Sequence, residues 1–444
     1  KLDRIYLFES KFRYLTSGTE VVVDSIQPDM TPTDNNWKVS VREIDIVDNY
    51  ILYESVNKTN TSGDFDAGHL EYGYVNLNAQ DLYYSAELTE LSVKNFSAID
   101  QNGFEIKRFE TDFTMDKHSI AAKSIKANTT GSYLDGDVSI GYESLDALTD
   151  ALPFMTLNAN IRKAGFSNAD ILYFSPTLIE QDFFKNKKNI TTISGLVNGS
   201  INNLKGKNIV LRTGKKTVLR TNFHITGLPN AETAYFHFPD LKINSGRQDI
   251  QMMAGSAIPA TIEIPQDINI QAVFKGKMKD FATTIGVNTS IGNGLLLATV
   301  DKDENFSANI NLLDFDLGSL LKDKEMYGPV SLTAEAKGRG LDPKTVNAKI
   351  KANVSKLFLN KYTYRKLTLD GAVANQQFDG KINLNDENAV FDFAGLVNFN
   401  PGNERFKFQL EMKGADLQKL HFSEKDIRIA FNASADLKGG TLND

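Results

Sequence analysis

From about residue 159 onward, apolar and polar residues take turns along most of the chain. In 405–439 the pattern is cleanest. Phe406, Phe408, Leu410 and Met412 are separated by Lys407, Gln409 and Glu411, and beyond a short insert the chain resumes as Ile427, Ile429, Phe431, Ala433, Ala435 and Leu437. A period of two predicts strands with one apolar face and one wet face. The same reading gives Ile268-Ile270-Ala272-Phe274, Phe306-Ala308-Ile310-Leu312 and Val330-Leu332-Ala334-Ala336. It continues through Val346-Ala348-Ile350-Ala352-Val354, Leu367-Leu369-Gly371-Val373 and Phe391-Phe393-Gly395-Val397.

A short punctuation recurs between these strands. It reads Asp170-Ile171-Leu172-Tyr173-Phe174, Asp249-Ile250-Gln251-Met252-Met253, Asp316-Leu317-Gly318-Ser319-Leu320 and Asp416-Leu417-Gln418-Lys419-Leu420. Each copy is followed by an alternating segment closing on glycine, at Asn198-Gly199, Lys275-Gly276, Lys337-Gly338 and Lys438-Gly439. The spacing is irregular, which excludes a fixed-period solenoid. Each copy has room for little more than one helical turn, and Asp170, Asp249, Asp316 and Asp416 are expected to cap it by accepting backbone N–H groups.

Before residue 155 the pattern is looser and predicts shorter strands, at 4–8, 20–24, 37–41, 75–79, 88–93, 104–107, 111–115, 120–125 and 136–142. Residues 31–36 read as a polar turn and 57–68 as a loop. Ser144 could cap a short helix over 144–152, on which Leu145, Leu148 and Leu152 share a face. The chain thus divides into a section 1–155 and a repeating section 156–444, both taken as parts of one body within a longer protein.

A run of strands joined by short turns makes an antiparallel sheet, and its apolar face must be covered. A second sheet would make a sandwich, closure would make a barrel, and a U-shaped curve would leave a groove for acyl chains. Small residues on that face (Ala334, Ala336, Ala348, Ala352, Ala433, Ala435, Gly371, Gly395) leave room beside a curved wall and favour the groove.

Composition narrows the function classes. The chain has 444 residues, 41% hydrophobic and 24% charged, which excludes disorder. A net charge of −7 without a basic patch gives no support to nucleic-acid binding. Cysteine is absent, removing disulfides, thiol nucleophiles and thiolate metal sites. His69, His118, His224, His237 and His421 show no ligand spacing and read as strand or loop residues. No apolar run approaches the ~18 residues of a membrane helix. Carboxylates fall at turns or on wet faces, so no catalytic group, cofactor or metal is expected. Asp301-Lys302-Asp303-Glu304-Asn305 lacks the glycine and distal glutamate of a calcium loop and reads as a hairpin turn.

The order Phe315-Asp316-Leu317-Gly318-Ser319-Leu320, then 328–338, then Val346 to Leu357-Phe358-Leu359-Asn360-Lys361-Tyr362 resembles TamB-like proteins of the AsmA-like superfamily, in their Bacteroidota form. The resemblance is dense over 160–444. It implies an all-β fold: an elongated curved antiparallel sheet forming a U-shaped hydrophobic groove (a β-taco, or repeating β-groove) with very short helical inserts. It further implies a periplasm-spanning bridge that conducts phospholipid between inner and outer membrane. A membrane anchor outside this segment and a TamA- or BamA-type outer-membrane barrel would be its partners. The groove lining would be Ile268, Ile270, Phe274, Phe306, Ile310, Val330, Leu332, Ala334, Ala336, Val346, Ile350, Phe391, Phe393, Phe406, Phe408, Leu410, Ile429 and Phe431. Two other readings stand beside it. A scaffold could assist barrel assembly by offering edge strands to a client. An extracellular stalk could carry sugars at sequons such as Asn95-Phe96-Ser97 and Asn432-Ala433-Ser434.

Overall fold

The computed structural model describes residues 1–16, 37–55, 65–144, 155–342, 344–398, 400 and 404–439. The strand expected at 20–24, the turn at 31–36 and nearly all of the helix at 144–152 lie outside them, as does most of the loop at 57–68. The chain divides into two compact units, Lys1–Pro229 and Asn230–Asp444. Both are all-β, as the alternation predicts, and the longest helix among the described residues is Arg247–Ala254, 8 residues.

The first unit holds β1 (Leu2–Phe8), β2 (Lys11–Thr16), β3 (Val39–Ser55), β4 (His69–Tyr84), β5 (Leu88–Asp100), β6 (Glu105–Asp116), β7 (Ser119–Thr129), β8 (Tyr133–Gly141), β9 (Thr156–Ser167), β10 (Ile190–Ser200), β11 (Asn203–Thr213) and β12 (Thr217–Thr226). From β3 to β12 it is an antiparallel meander, each strand pairing with the next. Its first edge departs from the antiparallel expectation. β1 and β2 lie end to end and both run parallel to β3. Parallel pairing needs a crossover of a dozen or more residues, and the connection from Thr16 to Val39 is long enough to supply one. The break between β1 and β2 is held by Asn49, 1% exposed. Its amide accepts from Ser10 N at 3.0 Å and donates to Leu7 O at 3.1 Å and Val47 O at 2.9 Å.

The strands here are longer than the sequence pattern suggested. The segments 104–107 and 111–115, expected as two strands, fall in the single strand β6, which begins at Glu105. The interruption is a register shift between Glu110 and Asp112. An extra residue inverts the side-chain alternation without ending the strand.

The second unit holds β13 (Tyr235–Gly246), β14 (Asp267–Lys277), β15 (Asp280–Thr289), β16 (Gly292–Val300), β17 (Asn305–Asp316), β18 (Tyr327–Arg339), β19 (Asn347–Leu359), β20 (Tyr362–Tyr364), β21 (Leu367–Ala374), β22 (Gln377–Asn385), β23 (Ala389–Asn398), β24 (Arg405–Asp416) and β25 (Arg428–Lys438). It too is an antiparallel meander, with the short β20 and then β21 both pairing with β19. Among the described residues β13 and β25 do not pair with each other, so this unit is an open sheet rather than a barrel.

Three recurring inserts leave the ends of β13, β17 and β24. Counted through the ladder, those strands run in the same direction, so the three inserts lie on one rim. The opposite rim is made of the hairpins β14–β15, β16–β17, β18–β19 and β21–β22.

Candidate functional site: one apolar face

The register of the second unit turns its alternation into continuous rows. Directly opposed residues run Ile243, Ile270, Val287, Gly294, Leu312, Leu332, Val354, Leu367, Leu384, Phe391, Met412, Phe431, which is one row from β13 to β25. This is the row nearest the inserts. The next two rows form the middle of the face. One carries Leu241, Ala272, Ile285, Leu296, Ile310, Ala334, Ala352, Leu369, Ile382, Phe393, Leu410 and Ala433. The other carries Phe238, Phe274, Thr283, Ala298, Ala308, Ala336, Ile350, Gly371, Gly380, Gly395, Phe408 and Ala435. A fourth row, at the hairpin rim, includes Phe281, Val300, Phe306, Val373, Phe378, Val397, Phe406 and Leu437.

Fourteen of the eighteen residues expected to line a groove fall in these four rows, and Ile268, Val330, Val346 and Ile429 lie outside them. Ile268 extends the insert-side end of β14. Val330 and Ile429 lie beyond the insert-side row, past register shifts in β17 and β24, with Val330 opposite Phe315 and Ile429 opposite Ala415. Val346 sits in the turn just before β19 and is half-buried.

The opposite face is polar along most of its length. Cross-strand neighbours Glu335, Lys351, Asp370 and Lys381 alternate in charge, and Lys351 Nζ lies 3.3 Å from Asp370 Oδ2. Opposite charges facing one another favour this register over its neighbours. Val273, Leu295 and Leu297, 43%, 41% and 43% exposed, interrupt it. The two leucines line a shallow cleft with Asn309, Asn311 and Thr333.

No residue of the two central rows is buried; Ile310 and the rest are half-buried or exposed. A covered core would seal such residues, so nothing among the described residues forms a second layer over the middle of this face. Burial is concentrated at the insert rim instead. There Leu384, Ala389, Ala415 and Leu420 form a core with Tyr362, Tyr364, Leu417 and Ile429 around it.

Glycine shapes the floor. A Cβ on Gly380 would meet Gly371 Cα at 2.5 Å and the Phe378 ring at 2.8 Å, and one on Gly371 would meet that ring at 2.6 Å. Phe378 therefore lies over two bare backbone positions in neighbouring strands, an aromatic covering a glycine gap.

The first two inserts are joined along their rim, and the β19–β20 turn is tied to the second. Glu263 N donates to Leu320 O at 2.7 Å and Asn360 N to Met326 O at 2.8 Å. Lys322 Nζ donates to Ala260 O at 2.7 Å, and Glu263 pairs with both Arg247 and Lys322. The motif aspartates have distinct places in this scheme. Asp316 caps Leu317–Leu321, accepting from Ser319 N at 2.9 Å and Ser319 Oγ at 2.5 Å. Asp416 accepts from Lys419 N at 3.1 Å and lies 3.4 Å from Arg428 Nε, on a turn rather than a helix. Asp249 is in the first turn of its helix, behind Gly246 as N-cap, and is buried.

Asp170 is also inside the first turn, and the cap there is Ser167, whose Oγ accepts from Asp170 N at 3.1 Å. The Asp170 carboxylate instead accepts from Thr129 Oγ1 at 2.5 Å and Gly131 N at 3.2 Å, tying its insert to the β7–β8 turn. Tyr173 of the same motif stacks on Phe104 at 4.9 Å and donates to Asp100 of the β5–β6 turn. A pattern of residue types shows that a helix begins here; which hydroxyl reaches the N–H depends on geometry that the spacing does not carry.

The first unit has an apolar row of its own that sequence reasoning missed. Ile46, Leu77, Phe96, Phe109, Ala127, Leu134, Ala164, Ile193, Leu211 and Leu219 are successive partners from β3 to β12. All but Ala164 are half-buried. The signal was present in the residue types but was scrambled by bulges.

Among the described residues no group of His, Cys, Asp or Glu is placed to hold a metal ion, and no helix is long and apolar enough to cross a membrane. The Asp301 carboxylate accepts from Asp303 N at 2.9 Å and Asn305 N at 3.0 Å and closes the β16–β17 hairpin. No protein-family model, no curated protein and no solved structure matches the chain.

Proposed function

We propose that this chain is a section of a bridge-like lipid-transfer protein of the TamB-like, AsmA-like type, working in the periplasm of a Gram-negative envelope. In this reading the apolar face holds phospholipid acyl chains on their way between inner and outer membrane, and a TamA- or BamA-type barrel is the partner at the far end. One observation carries it: apart from Thr283 the two central rows are apolar from β13 to β25, and none of their residues is fully buried. At the ~4.8 Å spacing of neighbouring strands that is about 50 Å of uncovered hydrocarbon-like surface. Acyl chains are the matching occupant because each CH₂ withdrawn from water stabilises the complex by ~0.8 kcal/mol without requiring specific contacts. A continuous face lets a chain move along it without re-entering water.

The test is native mass spectrometry with lipid extraction on the chain purified without detergent. Phospholipid should accompany the wild type and be lost in Ala334→Asp or Phe393→Glu while circular dichroism stays that of a β-protein. A folded, lipid-free chain insensitive to those changes, but inactivated by proline in an edge strand, would overturn the reading in favour of a strand-offering scaffold.

A further inference from the structure

The polar face of the second unit is not uniform. From β18 to β24 it carries charge of both signs, as in Glu335, Lys351, Asp370, Lys381 and Glu411. From β14 to β17 the same face is almost free of it. The ladders turn sixteen residues of those four strands to this side, between Asn269 and Lys275, Ala282 and Asn288, Asn293 and Thr299, and Ser307 and Leu313, and Lys275 alone is charged. Most of the others are asparagine, threonine or small residues, with Val273, Leu295, Leu297 and Leu313 exposed among them. Charge returns on the far side at Lys242 of β13.

The cleft at Leu295 and Leu297 adjoins a second one lined by Val273, Thr284, Leu297 and Asn309, so this uncharged window is dished along a diagonal. Twisted sheets have that form, and two of them stack face to face about 10 Å apart. At ~4.8 Å per strand and ~3.4 Å per residue the window measures about 20 by 25 Å. Counted on both partners that is on the order of 1,000 Å², the lower bound of a specific, reversible interface.

We propose that this window is a dimer interface whose partner is the same window of a second copy of this chain. Charge decides the partner. A two-fold contact sets a patch against its own copy, so a net charge would repel itself, whereas a partner of another kind would be selected by charges that this window does not have. Charge also fixes the axis. A two-fold axis running along β15 and β16 keeps the charged strands β18–β24 clear of their copies. An axis across the strands would lay Glu335 against Glu335 and Lys351 against Lys351, like charge on like. The contact leaves the apolar face free and does not depend on what fills it.

The sequence has no cysteine, so single labels report without interference. In sedimentation equilibrium the wild type should dimerise with a Kd of about 10–100 µM. Leu297→Lys should weaken this about tenfold or more by opposing like charges at the axis, while Phe393→Glu, on the apolar face, should leave it unchanged. Nitroxides on Asn288→Cys should lie within about 25 Å of each other in the dimer, and those on Gln409→Cys beyond about 50 Å, since roughly seven strand spacings separate β24 from the axis. A wild-type chain that stays monomeric at about 200 µM would overturn the proposal. So would a dimer lost in Phe393→Glu but kept in Leu297→Lys, or a short distance between labels at 409.

Discussion

The two units solve one problem with different backbones. In the second, the ladders β14–β15, β15–β16, β16–β17, β19–β21, β21–β22 and β22–β23 run without a register shift. In the first, every antiparallel ladder from β3–β4 to β10–β11 and β11–β12 contains at least one. Yet both keep an apolar row unbroken. The bulges of the first unit occur in strand after strand, so a parity change in one strand is matched by its neighbour. Several bulges carry a residue at positive φ whose N–H is taken by a side chain of the adjacent strand. Asp48 N donates to Asn76 Oδ1 at 3.0 Å, Ser124 N to Asp137 Oδ1 at 2.8 Å and Asn208 N to Asn222 Oδ1 at 2.8 Å. Among the described residues the second unit shows the device in comparable form at Asp314, whose N donates to Ser331 Oγ at 2.9 Å. A bulge thus need not leave a polar group unmet.

This contrast can be broken in graded ways. The largest effect is expected where the regular sheet admits no side chain. Gly380→Val would drive a Cβ to 2.6 Å from Asp370 O and 2.5 Å from Gly371 Cα, and backbone cannot step aside as a side chain can. A loss of about 3 kcal/mol is expected in urea unfolding followed by hydrogen exchange of the second unit. Gly414→Ala, with nothing within 4 Å, should be far milder.

In the first unit the corresponding lesion is at a bulge. Ser124 has φ 55°, so Ser124→Val should cost about 1–2 kcal/mol while Ser124→Gly should be neutral or stabilising. The same unfolding measurement checks the pair, and equal effects would mean that the bulge geometry is not what holds β7. Removing the acceptor by Asp137→Ala should cost about 1–2 kcal/mol by leaving an N–H unmet. At the inserts, Asp316→Ala should cost about 1 kcal/mol through the lost cap.

The pH dependence should be shared. Carboxyls in both units are held below the ordinary range: Asp137 chiefly by the Ser124 N–H, Asp45 by the Asn78 amide and then Arg4, and Asp392 by Lys413. Such groups contribute stability that is fully present above the unfolded carboxylate value of about 3.9 and is lost as pH falls below it toward their depressed folded values. Hydrogen exchange should therefore show both units weakening together below about pH 4, and an acid response confined to one unit would contradict the shared origin.

The same contrast explains what the sequence could disclose. Between Ile268 and Phe431 the apolar positions were legible because regular ladders preserve a period of two. Phe96 and Phe109, opposite partners in the first unit, were not legible as one face, since a shifted register separates Val93 from Phe96 in its own strand. The role of Asp170 was hidden because its partners, Thr129 and Gly131, come from a different hairpin. The parallel edge pairs β1 and β2 with a strand more than thirty positions further along the chain, which local pattern does not encode. The rims emerged only from strand direction, which is a property of the whole ladder.

The central claim is that one face of the sheet meets hydrocarbon while the other meets water. Adjacent residues test it most directly, since Asp392 and Phe393 point to opposite faces of β23. A benzophenone amino acid placed at each position and irradiated in intact cells should capture phospholipid from 393 and none from 392. Equal capture from both positions, or capture of protein alone at 393, would contradict it.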